Sequence, residues 1–205
     1  MQQLILGSSS PFRAQLLDKL QLNYITFSPD IDESSQSGET PEHLVKRLSE
    51  QKALAVAQQF DTGLIIASDQ VAIVDGNILG KPGNHENAIN QLSSVSGKTV
   101  RFLTGLALYN AQSNKMQSLV EHFDVSFREL TSQQIDFYLK QEKPYNCAGS
   151  FKSEGFGISL FSRLQGDDPN TLIGLPLIKL IDFLANEGVF VLCNNDYNHN
   201  LIMKS

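Results

Sequence analysis

Residues 64–81, LIIASDQVAIVDGNILGK, begin as an apolar strand and double back through Asp75-Gly76. That pair is a strong two-residue hairpin signal, because both central positions of such a turn need positive φ. With Asp75 and Gly76 at the centre, Val74 pairs with Asn77, and counting outward sets Gln70 opposite Lys81. Pro82 has no N–H to give the ladder, so the pairing should end there, although a bulge could shift the register. Asp69 interrupts a strand that otherwise reads as core. A buried carboxylate is costly unless it is hydrogen-bonded, ion-paired or bound to a metal; the plainer reading is a strand-end aspartate capping a turn.

Working outward, helices and strands mix without a repeat or a low-complexity linker. Residues 3–7 read as a strand and 11–21 as a helix. Thr40-Pro41 opens a helix to about Phe60, and another runs from His85 to Val95. Residues 99–110 and 116–128 form a long hairpin, whose second arm alternates Leu119, Glu121, Phe123, Val125 and Phe127 with more polar positions. Thr131 and Gln134 make a capping box for a helix that stops before Pro144. GFGISLF (155–161) reads as a strand, and 176–185 as a last helix closed by Gly188. Antiparallel hairpins among helices predict a mixed α/β (α+β) fold around a mixed sheet. One domain spans 1–193, and NNDYNHNLIMKS (194–205) reads as a tail.

The 205 residues, 41% of them hydrophobic, suffice for one sizeable core or two joined lobes. A net charge of -6 argues against clamping long nucleic acid, which needs a basic face, while leaving room for a local basic pocket. Cys147 and Cys193 are far apart and fit no metal-ligand spacing. Neither a secretory leader nor an apolar run of membrane-spanning length is evident, so a cytoplasmic protein is expected.

Four features suggest chemistry. In LILGSSSPFRAQLL (4–17) Ser10 is a good N-cap and Pro11 suits the first helical position, yet Arg13 falls in the first turn. A cation there opposes the macrodipole by about 0.3–1 kcal/mol, so either an anion sits at this helix end or the guanidinium swings out to solvent. On the 40–60 helix Lys52 falls at about 80° from Leu44, between Leu48 at about 40° and Val56 at about 120°. A lysine inside a buried stripe needs an anionic partner or a route to water along its own stem. SPDIDES (28–34) supplies Asp30, Asp32 and Glu33; oxygen ligands suit Mg²⁺ or Mn²⁺, although acidic loops are mostly solvated surface. SGKT (96–99) fails as a phosphate-binding loop, because Leu92 stands where a glycine is required. No glycine-rich dinucleotide motif, Ser-His-Asp or Cys-His arrangement is present, and His43, His85, His122 and His199 read as structural or exposed.

SSSPFRAQLL, the pair Asp32-Glu33, SEQKA, ASDQVAIVDGNILGKP, TGLALY and CAGSFKSEGFGISLF through GDDPNTLIGLPL resemble the Maf family of nucleoside triphosphate pyrophosphatases over nearly all of residues 1–188. SDQV and AGSFKSEGFGI are similar to the subgroup associated with 7-methyl-GTP. Phe12 departs from a common tryptophan but keeps the aromatic ring.

The resemblance implies two α/β lobes on a long mixed sheet with a central cleft, often as a homodimer. It implies that Ser8, Arg13, Lys52 and Lys81 face phosphate oxygens, that Glu33 and Asp69 stand at a divalent cation, and that Asp69 accepts the catalytic proton. Phe12, Gln70 and Glu154 would select the base: an aromatic face for a cationic N7-methylguanine ring, and a carboxylate for its N1 and N2 edge. The expected activity is hydrolysis of 7-methyl-GTP to the monophosphate and pyrophosphate, which clears modified nucleotides. Other non-standard triphosphates, as in the similarly folded inosine triphosphate pyrophosphatases, and a nucleotide-binding regulator of septum formation are the alternatives.

Overall fold

A computed structural model of the chain describes residues 2–192; the tail expected at 194–205 lies outside the described residues, as does Cys193. In chain order the elements are β1 (Leu4–Leu6), α1 (Pro11–Asp18), β2 (Tyr24–Thr26), α2 (Pro41–Ala57), β3 (Leu64–Val74), β4 (Asn77–Leu79), α3 (His85–Val95) and β5 (Thr99–Asn110). Then come β6 (Lys115–Phe127), α4 (Ser132–Glu142), β7 (Phe161–Gln165), α5 (Pro169–Ile173) and α6 (Leu177–Asn186). Among the described residues no helix is long and apolar enough to cross a membrane.

The described strands form one mixed sheet in the order β2-β1-β3-β5-β6-β7, with β4 on β3. β3 joins its two halves. Its first residues pair in parallel with β1 (Leu6 with Ile66), and its last pair antiparallel with β4 (Ala72 with Leu79). β5 runs antiparallel along nearly the whole of β3 on the other side. In these ladders the stretch Ala67–Val71 therefore has a strand neighbour on the β5 side only. That gap is where the cleft opens.

Alternation along β3 builds three cores. Leu64 and Ile66 face α1 and α6 with Leu106 and Leu108. Ile65 and Ala67 face α2, where Ala53 and Val56 pack on Ile5 and Ala107. Beyond the gap, Ala72 and Val74 join Phe102, Phe123, Val125 and Phe127 beneath α3 and α4. The cores are apolar by period two, as a sheet covered on its faces requires.

Local signals were realised. Thr40, Asn84 and Thr131 cap their helices by accepting a backbone N–H, and Thr131 with Gln134 completes the capping box. The register Val74 with Asn77 is as counted. Two expectations fail. The β3–β4 ladder ends at Leu79, so Gln70 does not oppose Lys81; it pairs with Thr104 of β5. And GFGISLF is not a strand: Phe156–Leu160 form a 3₁₀ turn, and β7 begins only at Phe161. The apolar alternation misled there, since Phe156 and Ile158 are exposed. A Cβ at Gly157 would lie 2.2 Å from the Lys152 carbonyl oxygen, so the backbone packs on itself there.

Candidate active site

The site starts from Asp69 and Gly105, which are directly opposite on β3 and β5 and therefore share a face. That face looks at α2. Gly105 has no side chain, and a Cβ there would lie 2.2 Å from the Val45 carbonyl oxygen of the helix. The helix can thus lie on the sheet closely enough for Lys52 to reach the strand. Lys52 Nζ stands 2.7 Å from Asp69 Oδ1, and Lys52 and Asp69 are only 7% and 8% exposed. Lys52 is the lysine that falls inside the buried stripe, and its anionic partner is the aspartate that interrupts the strand.

Glu33 comes to the same ammonium from the β2–α2 loop, its Oε1 also 2.7 Å from Lys52 Nζ. The Lys52 hydrogen bond holds the Glu33 carboxyl below its ordinary range, with Lys81 and Arg13 adding to the effect. Two carboxylates thus flank one cationic point in the lining of a cleft of about 690 Å³.

Arg13 enters from α1. Its Nε donates to the Gly174 carbonyl at 2.9 Å, and Nη1 lies 3.5 Å from Ser8 Oγ. Burial pulls its pKa down, while Asp69 and Glu33 raise it. The guanidinium is not swung out to solvent, and among the described residues no carboxylate pairs with it: it is a partly desolvated cation at a helix N-terminus, which is where an anion would be held. Ser8 Oγ accepts the Ser10 N–H at 3.1 Å, which sets the loop before the helix.

Ser68 and Gln70 point to the opposite face from Asp69. Ser68 Oγ donates to the same Gly174 carbonyl at 2.8 Å. Gln70 Nε2 donates to Thr104 Oγ1 (2.9 Å) and the Thr171 carbonyl (2.8 Å), so its amide nitrogen ties β3 and β5 to α5. Asp168 N-caps α5 and also accepts the Ile178 N–H at 2.8 Å. The GDDPNTLIGLP segment is therefore the buttress behind the arginine.

Phe12, Lys81 and Glu154 line the same cleft, together with Lys152. The residues given phosphate, metal or base roles thus reach one concavity, whereas Asp30 and Asp32 of the acidic loop line a separate surface depression. Sequence reasoning missed Gly105, Ser68, Gly174 and Thr104, which shape the site through backbone and packing. TGLALY and IGLP carried the glycines, but nothing local says what approaches them.

Among the described residues no group of three or more His, Cys, Asp or Glu is gathered for a metal. Glu33 and Asp69 nevertheless suit a hard cation of the Mg²⁺ class, which takes one or two protein carboxylates and completes its shell with water and phosphate oxygens. Such a cleft, with two carboxylates, a helix N-terminus and several cations on a mixed sheet, defines a site for a small polyanion.

The family model for "Maf-like protein" matches residues 3–187, and the chain belongs to the Maf family. Proteins named 7-methyl-GTP pyrophosphatase are similar across nearly their whole length. The one from Idiomarina loihiensis is 58% identical over 91% of this chain and 95% of its own, and that from Alcanivorax borkumensis is 58% identical over 91% and 94%. The one from Colwellia psychrerythraea is 54% identical over 94% and 96%. Among solved structures the Ham1 protein of Staphylococcus aureus aligns with a TM-score of 0.52 at 15% identity, over 90% of this chain and 99% of that one, a likeness of fold.

Proposed function

We propose that this chain hydrolyses 7-methyl-GTP to 7-methyl-GMP and pyrophosphate. The reading rests above all on Lys52 bridging Asp69 and Glu33 at 2.7 Å each, beside a helix N-terminus that holds Arg13. Close relatives that carry the name 7-methyl-GTP pyrophosphatase support the same reaction and substrate.

Charge stabilisation and positioning are most of what phosphoryl-type transfer requires. Arg13, Lys52, Lys81 and Ser8 would hold phosphate oxygens. Asp69 would orient the attacking water and accept its proton as oxygen attacks the α-phosphorus and the bond to the bridging oxygen breaks. The electron pair leaves on pyrophosphate, whose charge the cations offset. Glu33 and Asp69 would hold a divalent cation, Mg²⁺ or Mn²⁺, which when bound neutralises phosphate charge and acidifies water. Phe12 would stack on the base and Glu154 would accept hydrogen bonds from its N1 and N2 edge; Gln70, whose amide nitrogen is already engaged, would present its carbonyl oxygen.

The deciding experiment is a panel of ordinary and modified nucleoside triphosphates assayed for pyrophosphate, with and without Mg²⁺ or Mn²⁺. Equimolar monophosphate and pyrophosphate, metal dependence and the highest kcat/KM on 7-methyl-GTP are expected. Orthophosphate as the product would overturn the reaction, a higher kcat/KM on another triphosphate the substrate, and the absence of turnover would leave a binding protein.

A further inference from the structure

Glu33 is the least anchored member of the cluster. It lies in the loop between β2 and α2, residues 27–40, which has no regular secondary structure and is mostly exposed. Within residues 28–38 most hydrogen bonds are local: Ser34 N–H to Asp32, Gln36 N–H to Glu39, and Glu39 N–H to the Gln36 carbonyl. Among the described residues only two polar ties join this stretch to the body of the protein. One is Glu33 on Lys52 (2.7 Å); the other is Arg47 Nη2 donating to the Ser34 carbonyl at 3.0 Å, one residue after Glu33.

Arg47 is held for that task. Its Nε and Nη2 make a two-pronged pair with Glu39 at 2.6 and 2.7 Å, and its Nη1 donates to Gln51 at 3.0 Å. The pair is largely shielded, with the Arg47 side chain 19% and the Glu39 side chain 7% exposed. One guanidinium therefore grips the C-terminal end of the loop and the peptide next to Glu33. It does so from α2, the same helix that carries Lys52. Lysine cannot reproduce this: a single ammonium has no planar fork to reach a carboxylate, a carbonyl and an amide together.

We infer that Arg47 is a positioning residue that holds the β2–α2 loop so that Glu33 is at Lys52 before nucleotide arrives. The inference rests on reading the cleft as a triphosphate site. Arg47 lines a separate surface depression with Asp32, Ser34 and Gln51, and it acts on the reaction only through Glu33. When the loop is ordered beforehand, binding does not have to supply that ordering. When it is not, the apparent affinity falls by the fraction of molecules with Glu33 in place, and the saturated complex still forms.

The test compares wild type with Arg47→Lys, Arg47→Met and, as a control on the same helix, Lys46→Gln, which alters only the Lys46–Glu50 pair. Amide hydrogen exchange over residues 28–38 is measured in protein free of nucleotide and metal, beside Tm and steady-state kinetics on 7-methyl-GTP. In both Arg47 variants exchange over this loop should rise about 10-fold or more while exchange in β3 and β5 stays unchanged. KM should rise about 5- to 20-fold with kcat within about 2-fold of wild type at saturation, Arg47→Lys falling between wild type and Arg47→Met. Lys46→Gln should change neither. Unchanged loop exchange overturns the proposal. So does a loss confined to kcat, or faster exchange spread over β3 and β5 with a collapsed Tm, which would make Arg47 merely structural. If wild type releases no pyrophosphate from any triphosphate, the reading of the cleft fails, while the exchange data still decide whether Arg47 orders the loop.

Discussion

Lys52 Nζ and Asp69 Oδ1 lie 2.7 Å apart, one on a helix and one on the strand beneath it, and both are almost wholly removed from water. The pair is possible because Gly105, opposite Asp69, lets α2 lie against the sheet. Removing Lys52 leaves Asp69 buried without its partner, a change that typically costs about 3–5 kcal/mol when the pair is fully desolvated, whereas removing the Asp69 charge leaves Lys52 its second partner, Glu33. Asp69→Asn is the gentler probe, since an amide oxygen can still accept from Lys52. It should keep the fold, by circular dichroism and Tm, and lower kcat by about 10²- to 10⁴-fold, the range for losing a positioned general base. Near wild-type turnover would remove Asp69 from the chemistry.

Gly105→Ala tests the close approach. A Cβ 2.2 Å from the Val45 carbonyl oxygen forces α2 off the strand. Overpacking of this kind costs about 1–3 kcal/mol, read as a lower urea midpoint, and activity should fall further than stability because Lys52 moves with the helix. A stable, fully active variant would show that the helix tolerates the shift.

Arg13→Lys separates the anchor from the charge. The Nε donates to the Gly174 carbonyl, leaving the far end of the guanidinium for the cleft; a lysine has one ammonium for both tasks. Loss of a charge-assisted hydrogen bond, about 1.5–3 kcal/mol, predicts a fall of about 10- to 150-fold in kcat/KM. Equal kcat/KM in the two enzymes would mean that the Gly174 contact does not orient the cation.

Base choice is tested at Glu154. An N7-methylated guanine carries a positive charge that GTP lacks, so Glu154→Gln should cost more kcat/KM on 7-methyl-GTP than on GTP. Equal losses on the two would leave Glu154 as scaffolding.

The Arg47–Glu39 pair gives a pH dependence of known sign. The Arg47 hydrogen bond, helped by the Gln36 N–H, holds the Glu39 pKa at about 2, against an ordinary 4.5. A carboxyl depressed on folding stabilises the native state fully above its unfolded pKa, and that stabilisation is lost as pH falls through the folded value. The Tm difference between wild type and Glu39→Gln should therefore be constant from pH 7 to about 5, shrink below about pH 4.5 and vanish near pH 2. A difference that grows on acidification would contradict the assignment.

What the amino-acid sequence determined by itself is whatever short-range physics settles. Asp75-Gly76 closed the hairpin with Val74 on Asn77, Thr131 and Gln134 closed a capping box, and the helical period put Lys52 among buried residues. In each case the interacting groups are within a few residues of one another, so their types and spacing carry the energy. The motifs also placed Ser8, Arg13, Glu33, Lys52, Asp69, Lys81, Phe12, Gln70 and Glu154 in one cleft, through their resemblance to a family rather than through any local rule. Tertiary structure alone decided the rest. GFGISLF looked like a strand because its apolar residues alternate, but in the fold Phe156 and Ile158 face outward and the chain coils at two glycines. Gln70 exchanged the expected Lys81 for Thr104 and the carbonyl of Thr171, 101 positions away, and Arg13 found the Gly174 carbonyl across 161. Spacing along a chain does not encode such contacts: a carbonyl has the same chemistry at every residue, and only the packing of α5 against β3 and β5 singles out which one stands behind the arginine.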